Sequence, residues 1–339
     1  APLVQLTQLE MGRGDLEAAG AVIAKIRGRW REASTGDILD GQLALKRGEI
    51  PAAIAHFDEA LKKDPENKVV QFWKAQLDGR TGATSEAAEA LERIVRDGPV
   101  KEVDAGVTLM SAAQSALASL SLQNGNVDDA IRRYEELRRN SENGTLSRAD
   151  RWQLIAAYDA KDQWPIAKRE LAAILNDAND PPSPEDRVRG ADLYRRHKED
   201  ASALAQLDYV LKVSPANPSG AVMRAVIHLQ AQELEQAAGV LRRAIEMGSK
   251  DGNKASEAVY LMLAVVENET PPTETSSSRA LKIIDEGLAV QPASMPLAQA
   301  KYLALAKAGD PKEALAFVEA KAKDDPKGPY RRMLIDVYR

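Results

Sequence analysis

Residues 48–67 read GEIPAAIAHFDEALKKDPEN, and each part of that phrase has a structural job. Gly48 suits the left-handed backbone that ends one helix and opens a tight turn. Ala53, Phe57 and Ala60 follow at offsets of four and three, which puts them on one face of a helix. Pro65 cannot continue that helix and closes the phrase. The same alanine recurs as Ala19, Ala53, Ala87, Ala130, Ala167, Ala203, Ala237, Ala280 and Ala314. The steps from 19 to 53, 53 to 87, 203 to 237 and 280 to 314 are all 34 residues. A fixed period of this size predicts a stacked helical solenoid, in which each unit packs mainly on its neighbours.

Around each alanine the pattern holds with variations. The large residue four positions on is Ile23, Phe57, Leu91, Tyr134, Leu171, Leu207, Leu241, Ile284 or Val318. Three further stands Ile26, Ala60, Ile94, Leu137, Ile174, Val210, Ala244 or Gly287, and the ninth copy departs with Lys321. The turn glycine is Gly14, Gly48, Gly82, Gly125 or Gly309. Asp162, Lys198 and Gln232 replace it in three middle copies, where less well specified turns are expected. Pro65, Pro99, Pro215, Pro292 and Pro326 close five of the phrases. Upstream of each turn lies a second apolar-periodic segment, so each unit reads as helix A, turn, helix B.

GDLEAAGAVIAKI (14–26), GEIPAAIAHFDEALKKDPEN (48–67), GNVDDAIRRYEELRR (125–139) and GDPKEALAFVEAKAKDDP (309–326) together resemble the tetratricopeptide repeat family. The resemblance covers nearly the whole chain, although the tryptophan usual early in helix A is replaced by Leu3, Asp37, Gln114 and Arg151. It implies an all-α, right-handed superhelical solenoid of about nine helix-turn-helix repeats with a C-terminal capping helix. The expected repeats are 1–33, 34–67, 68–104, 105–146, 147–182, 183–217, 218–254, 255–294 and 295–328, then a terminal helix at 329–339. They form one continuous array, in which the stretch 176–186 could mark a joint between two blocks.

The resemblance also implies where a partner binds. Helix A lines the concave side in that family, and its inward positions fall here on Phe72 or Trp73, Gln76, Ser115, Ser119, Trp152, Asp159, Arg189, Asp192, Arg196, Met223 and Val226. Trp73, Trp152 and the Arg189/Arg196 pair are the expected anchors, with inter-repeat packing as the other role open to the two tryptophans. The family's clamp for C-terminal carboxylates uses Lys and Asn on successive A helices. Comparable positions here hold Ser115, Ser119, Trp152 and Ala156, so that clamp is not expected.

Composition narrows function further. The chain carries 46 basic and 51 acidic residues, a net charge of −5, and no cysteine. A mixed surface of this kind offers no concentrated basic field for nucleic acid. Basic pairs such as Arg132-Arg133 and Arg242-Arg243 read as the solvated outer side of helix B. Without cysteine there is no disulfide framework and no thiolate chemistry. That absence fits any compartment and mildly favours a periplasmic or envelope-associated one over the cytoplasm. His56, His197 and His228 fall in three different units with no metal-ligand spacing, and His228 reads as a half-buried packing residue. No phosphate loop or nucleophile elbow occurs. No apolar run approaches the roughly 18 residues that span a bilayer.

The expectation is therefore a non-enzymatic scaffold without cofactor or metal, binding a peptide or helix of a protein partner. Two segments, 176–186 and 267–278, are rich in Pro, Ser, Thr and acid and read as loops. Asn143-Gly144-Thr145 and Asn268-Glu269-Thr270 match the glycosylation triplet. The chain starts at Ala1 and ends at Arg339 inside what reads as another helix A. An alternative expectation follows: the repeat region of a larger envelope, polysaccharide-export or transferase protein.

Overall fold

The computed structural model describes residues 2–97, 109–141, 143–250, 255–269, 276–307, 311–324 and 329–337. Among them are nineteen helices and no strand. They group into two compact units, Ala1–Leu171 and Ala172–Arg339. The first holds α1 (Pro2–Arg13), α2 (Leu16–Arg29), α3 (Thr35–Arg47), α4 (Ile50–Lys63) and α5 (Lys68–Thr81). It continues with α6 (Thr84–Arg96), α7 (Leu109–Gln123), α8 (Val127–Asn140) and α9 (Arg148–Ala160). The division runs through α10 (Trp164–Leu175), just before the stretch 176–186. The second unit holds α11 (Pro184–Arg196), α12 (Asp200–Val213), α13 (Pro218–Gln230), α14 (Leu234–Lys250) and α15 (Glu257–Glu269). Its last helices are α16 (Ser276–Val290), α17 (Met295–Lys307), α18 (Pro311–Asp324) and α19 (Pro329–Val337).

The alanine phrase sits on the even-numbered helices, and it is the core. All nine alanines are 0–4% exposed, and the nine large residues four positions on are 0–3% exposed. A methyl at one position lets the facing helix approach, and the larger side chain fills the space beside it. In the ninth copy, where Lys321 breaks the pattern, its neighbour Ala322 is buried instead. The apolar clusters are correspondingly small and serial. One joins α1, α2 and α3, the next α3, α4 and α5, the next α5, α6 and α7. The second unit repeats this with α13–α15 and α15–α17.

Caps and turns set the boundaries. Asp15, Asn67, Ser147, Ser183 and Asn217 each accept a backbone N–H in the first turn of the following helix. Pro65, Pro215 and Pro292 stand two residues past the ends of α4, α12 and α16; Pro99, Pro326 and Gly309 lie outside the described residues. Gly14, Gly48, Gly82 and Gly125 have φ between 76° and 100°. Asp162, Lys198 and Gln232, at φ of 56°, 60° and 62°, adopt the same left-handed conformation. The turns expected to be less well specified therefore keep the glycine geometry, held there by the helices on either side.

Both expected loops are shorter than their composition suggests. Pro184 starts α11, because Ser183 and Asp186 form a reciprocal capping box and proline suits a first-turn position. In the second, α15 runs on to Glu269 and α16 begins at Ser276, with 270–275 outside the described residues. Glu267 belongs to the helix because its carboxylate, 5% exposed, is held between Arg242 of α14 and Arg279 of α16.

Each unit has an inner side. Within the first, α1 touches α3, α5 touches α7 and α7 touches α9; within the second, α11 touches α13, α13 touches α15 and α15 touches α17. Among the described residues no comparable contact joins α2, α4, α6 and α8 to one another, or α12, α14, α16 and α18. Elements crowd on the inside of a bend, so in each unit the A helices form the inner row.

Candidate functional site

The inner row of the first unit contains a cleft of about 1040 Å³. One wall is α5, with Phe72, Trp73, Gln76 and Arg80; the other is α7, with Ser111, Ser115 and Ser119. The connection from α8 to α9 closes one side through Asn140, Ser141, Asn143, Thr145 and Ser147, and Asp150 follows in the first turn of α9. The cleft is open because α7 presents Ser and Ala where a large side chain would fill the gap. Ser111, Ala112, Ser115, Ala116 and Ser119 all line it.

Trp73 is fixed from behind. It lies three residues after buried Val70 and four before buried Leu77, so its ring borders the core and stays half-buried. Its centroid is 5.8 Å from that of Phe57, with the rings tilted by 40°. That aromatic pair holds the indole while it lines the cleft. Gln76, one turn further along α5, is exposed.

Asp150 ties the opposite side together. Its carboxylate accepts the Ser115 hydroxyl from α7 and the Ser147 hydroxyl at 2.6 Å. Ser147 in turn accepts the Asp150 backbone N–H at 3.1 Å, capping α9. The carboxylate is also well placed at a helix N-terminus, where the positive end of the helix dipole favours it. Behind the same wall lies Tyr134, fully buried, with no hydrogen-bond partner for its hydroxyl among the described residues. Burial pushes its pKa up to about 12, so it stays a neutral donor. Ser119 lies close enough to act on that hydroxyl without a well-aligned bond, and Asp150 acts on it electrostatically.

The expected site residues separate into three groups. Trp73, Gln76, Ser115 and Ser119 come together in this cleft. Trp152 and Asp159 do not line it, and Trp152 is a correction: at 5% exposure it is a core residue and not a surface anchor. The reason is register. Trp152, Ile155 and Tyr158, spaced by three, form one buried stripe of α9, and Asp159 lies half-buried beside it. Arg189, Asp192, Arg196 and Met223 belong to the second unit. There Asp192 accepts Arg195 at 2.7 Å and Arg196 at 3.2 Å, Arg189 is exposed, and Met223 is half-buried on α13. Arg187 of the same helix stacks on Tyr209 at 3.9 Å and bonds Gln206 at 2.7 Å, which makes it a packing residue.

The α8–α9 connection is the part of the cleft that sequence reasoning missed. Its signal was present: Ser147 and Asp150 have capping spacing, and Asn143-Gly144-Thr145 marks a turn, all three exposed. His228 is more buried than expected, at 7%, with Nδ1 2.6 Å from Glu233 and Nε2 3.4 Å from Arg224 Nε. Of the basic pairs, Arg132, Arg139, Arg242 and Arg243 are exposed as expected, while Arg133 and Arg138 are partly buried. Arg133 reaches Glu92 of α6 at 3.1 Å, and Arg138 makes two bonds to Glu170 at 3.1 and 2.8 Å. Among the described residues no cluster of metal-ligating side chains occurs, and no helix is long and apolar enough to cross a membrane.

Residues 44–110 and 189–252 match models of the tetratricopeptide repeat. The chain is a tetratricopeptide repeat protein. Solved repeat proteins share its fold. The C-terminal part of a tetratricopeptide repeat protein from Cytophaga hutchinsonii is 15% identical, with TM-score 0.54, covering 77% of this chain and 97% of that one. A tetratricopeptide repeat protein from Parabacteroides merdae is 14% identical, with TM-score 0.51, covering 80% and 98%. PilF of Pseudomonas aeruginosa is 15% identical, with TM-score 0.51, covering 65% and 93%. No curated protein matches by sequence. At these identities the likeness is one of fold alone. Tetratricopeptide repeats are in general protein–protein interaction modules, typically non-catalytic, and this chain shares their all-helical solenoid fold.

Proposed function

We propose that this protein is a non-catalytic scaffold that holds a segment of a partner protein in the cleft of its first unit. The observation that carries this is the convergence of Trp73, Gln76, Ser115 and Ser119 on one open cleft of about 1040 Å³. A ring fixed from behind beside hydrogen-bonding side chains is the usual composition of an interface anchor and its surround. Arg189, Asp192, Arg196 and Met223 would give the second unit a separate, charged contact surface. An exported or envelope-associated setting belongs to the same proposal, and fractionation of the native host tests it.

The binding test uses a photo-crosslinking residue at Gln76, which is exposed on α5, and a control at Glu89, exposed on α6. Capture from the native host should give protein adducts from Gln76 and few from Glu89. Equal yields from both positions would remove the cleft from consideration.

A further inference from the structure

We infer that the turn after α2 docks this protein on an anionic lipid surface, with Trp30 as the inserted ring and Lys25, Arg29 and Arg31 as its phosphate contacts. This surface is separate from the cleft, and its failure would leave the cleft untouched. The first support is a side chain that the repeat does not need. Trp30 stands eleven residues after Ala19 and caps the end of α2. Counted from their own alanines, Asp64, Ser141, Ser214 and Gln291 fill the same place after α4, α8, α12 and α16. The cap is a backbone bond, from the Trp30 N–H to the Ile26 carbonyl at 2.9 Å, and the other four residues make its counterpart. The indole is therefore spare to the fold, and it is 44% exposed.

The second support is presentation. Residues 27–33 are all exposed, whereas the α4–α5 and α12–α13 turns contain half-buried residues. The segment projects, and it is also held. The Ala33 N–H donates to the Trp30 carbonyl at 3.2 Å, and Lys63 of α4 donates to the Arg31 carbonyl at 3.0 Å. The Arg29 guanidinium lies 5.1 Å from the indole centroid and steadies the ring through a cation–π contact. A projecting indole suits a surface that deforms around it, and tryptophan favours the headgroup level of a bilayer. A protein partner would need a preformed hollow to receive it.

The third support is charge. Lys25 stands one turn before Arg29 on the same side of α2, and both are exposed, as is Arg31. None of the three makes an ion pair among the described residues. Asp37 and Asp40 of α3 are engaged instead by Arg27 and Lys63, which leaves Glu32 as the exposed acid of the turn. Three exposed bases against one acid make the turn positive around its indole. Bases also suit the negative end of a helix, but that role needs no tryptophan beside them. Guanidinium groups pair with phosphate oxygens in bidentate fashion, which fits Arg29 and Arg31 to lipid headgroups.

Flotation of the full chain with vesicles of equal parts phosphatidylglycerol and phosphatidylcholine, beside vesicles of phosphatidylcholine alone, tests this at low ionic strength. The anionic vesicles should carry the protein, the neutral ones should not, and added salt should release it. Arg29→Glu and Arg31→Glu should each weaken binding by about fivefold or more. Arg243→Glu, the same charge change at an exposed base of α14, should leave binding unaltered. Bromine-labelled lipid should quench tryptophan fluorescence in wild type and not in Trp30→Phe, a substitution at an exposed position that keeps the cap bond. No flotation with anionic vesicles, equal weakening by Arg243→Glu, or quenching that survives in Trp30→Phe overturns the inference. Binding of soluble polyglutamate without quenching by the labelled lipid would assign the turn to an acidic protein, and overturns it as well.

Discussion

At Asp129 the balance of forces can be followed group by group. Burial alone would raise its pKa, but hydrogen bonds from Ser121, Arg133 and Arg132 outweigh that and draw it down to about 2. A carboxylate depressed in the folded state adds stability at pH values above its unfolded pKa and loses it as pH falls toward the folded one. Denaturant titration of wild type and Asp129→Asn should therefore show a stability gap above pH 4 that closes toward pH 2. A gap of constant size would mean that ionisation is not what Asp129 contributes. Tyr134 gives the opposite case. Its hydroxyl is buried without a partner among the described residues, so Tyr134→Phe should leave the urea midpoint unchanged or raise stability by up to about 1 kcal/mol. A loss above that would show that the hydroxyl is well bonded. The candidate cleft was half legible at this scale. Counting inward positions located Trp73, Gln76, Ser115 and Ser119, but a one-residue uncertainty in register separates a groove ring from a core ring, and Trp152 fell on the core side.

Among elements, the turn between the two helices of a repeat shows what a degenerate sequence costs. Among the described residues four such turns use glycine, and three place Asp162, Lys198 or Gln232 at φ near +60°. A side chain in this region is strained by roughly 1–2 kcal/mol, and part of that returns as reduced freedom in the unfolded chain. Replacing Asp162, Lys198 and Gln232 by glycine should each raise stability by about 0.5–1 kcal/mol, seen as a higher thermal midpoint without change in helical circular dichroism. A lower midpoint would mean that the native side chains are doing more than occupying the turn. The helices were legible because alanine, large residue and turn recur on a period. The α8–α9 connection was not, since its role depends on which loop faces which cleft, and no period encodes that.

At the scale of the whole chain, a serial core predicts serial unfolding. Each apolar cluster is shared by neighbouring helix pairs, so stability is a sum of local terms, and one midpoint need not describe the molecule. The sequence supplies a reporter: Trp30, Trp73, Trp152 and Trp164 all lie in the first compact unit. Tryptophan fluorescence therefore follows that unit, while circular dichroism at 222 nm follows helices of both. Gly41→Ala adds a selective perturbation. A Cβ at Gly41 would lie 2.7 Å from Phe57 Cδ1 and 2.9 Å from its Cζ, closer than packed atoms allow. Overpacking of this kind costs roughly 1–3 kcal/mol. In guanidinium chloride this variant should move the fluorescence midpoint down clearly, while only part of the dichroism transition follows. Coincident curves that shift together by the same amount would show that the two units unfold as one, and that coupling between them exceeds the local terms.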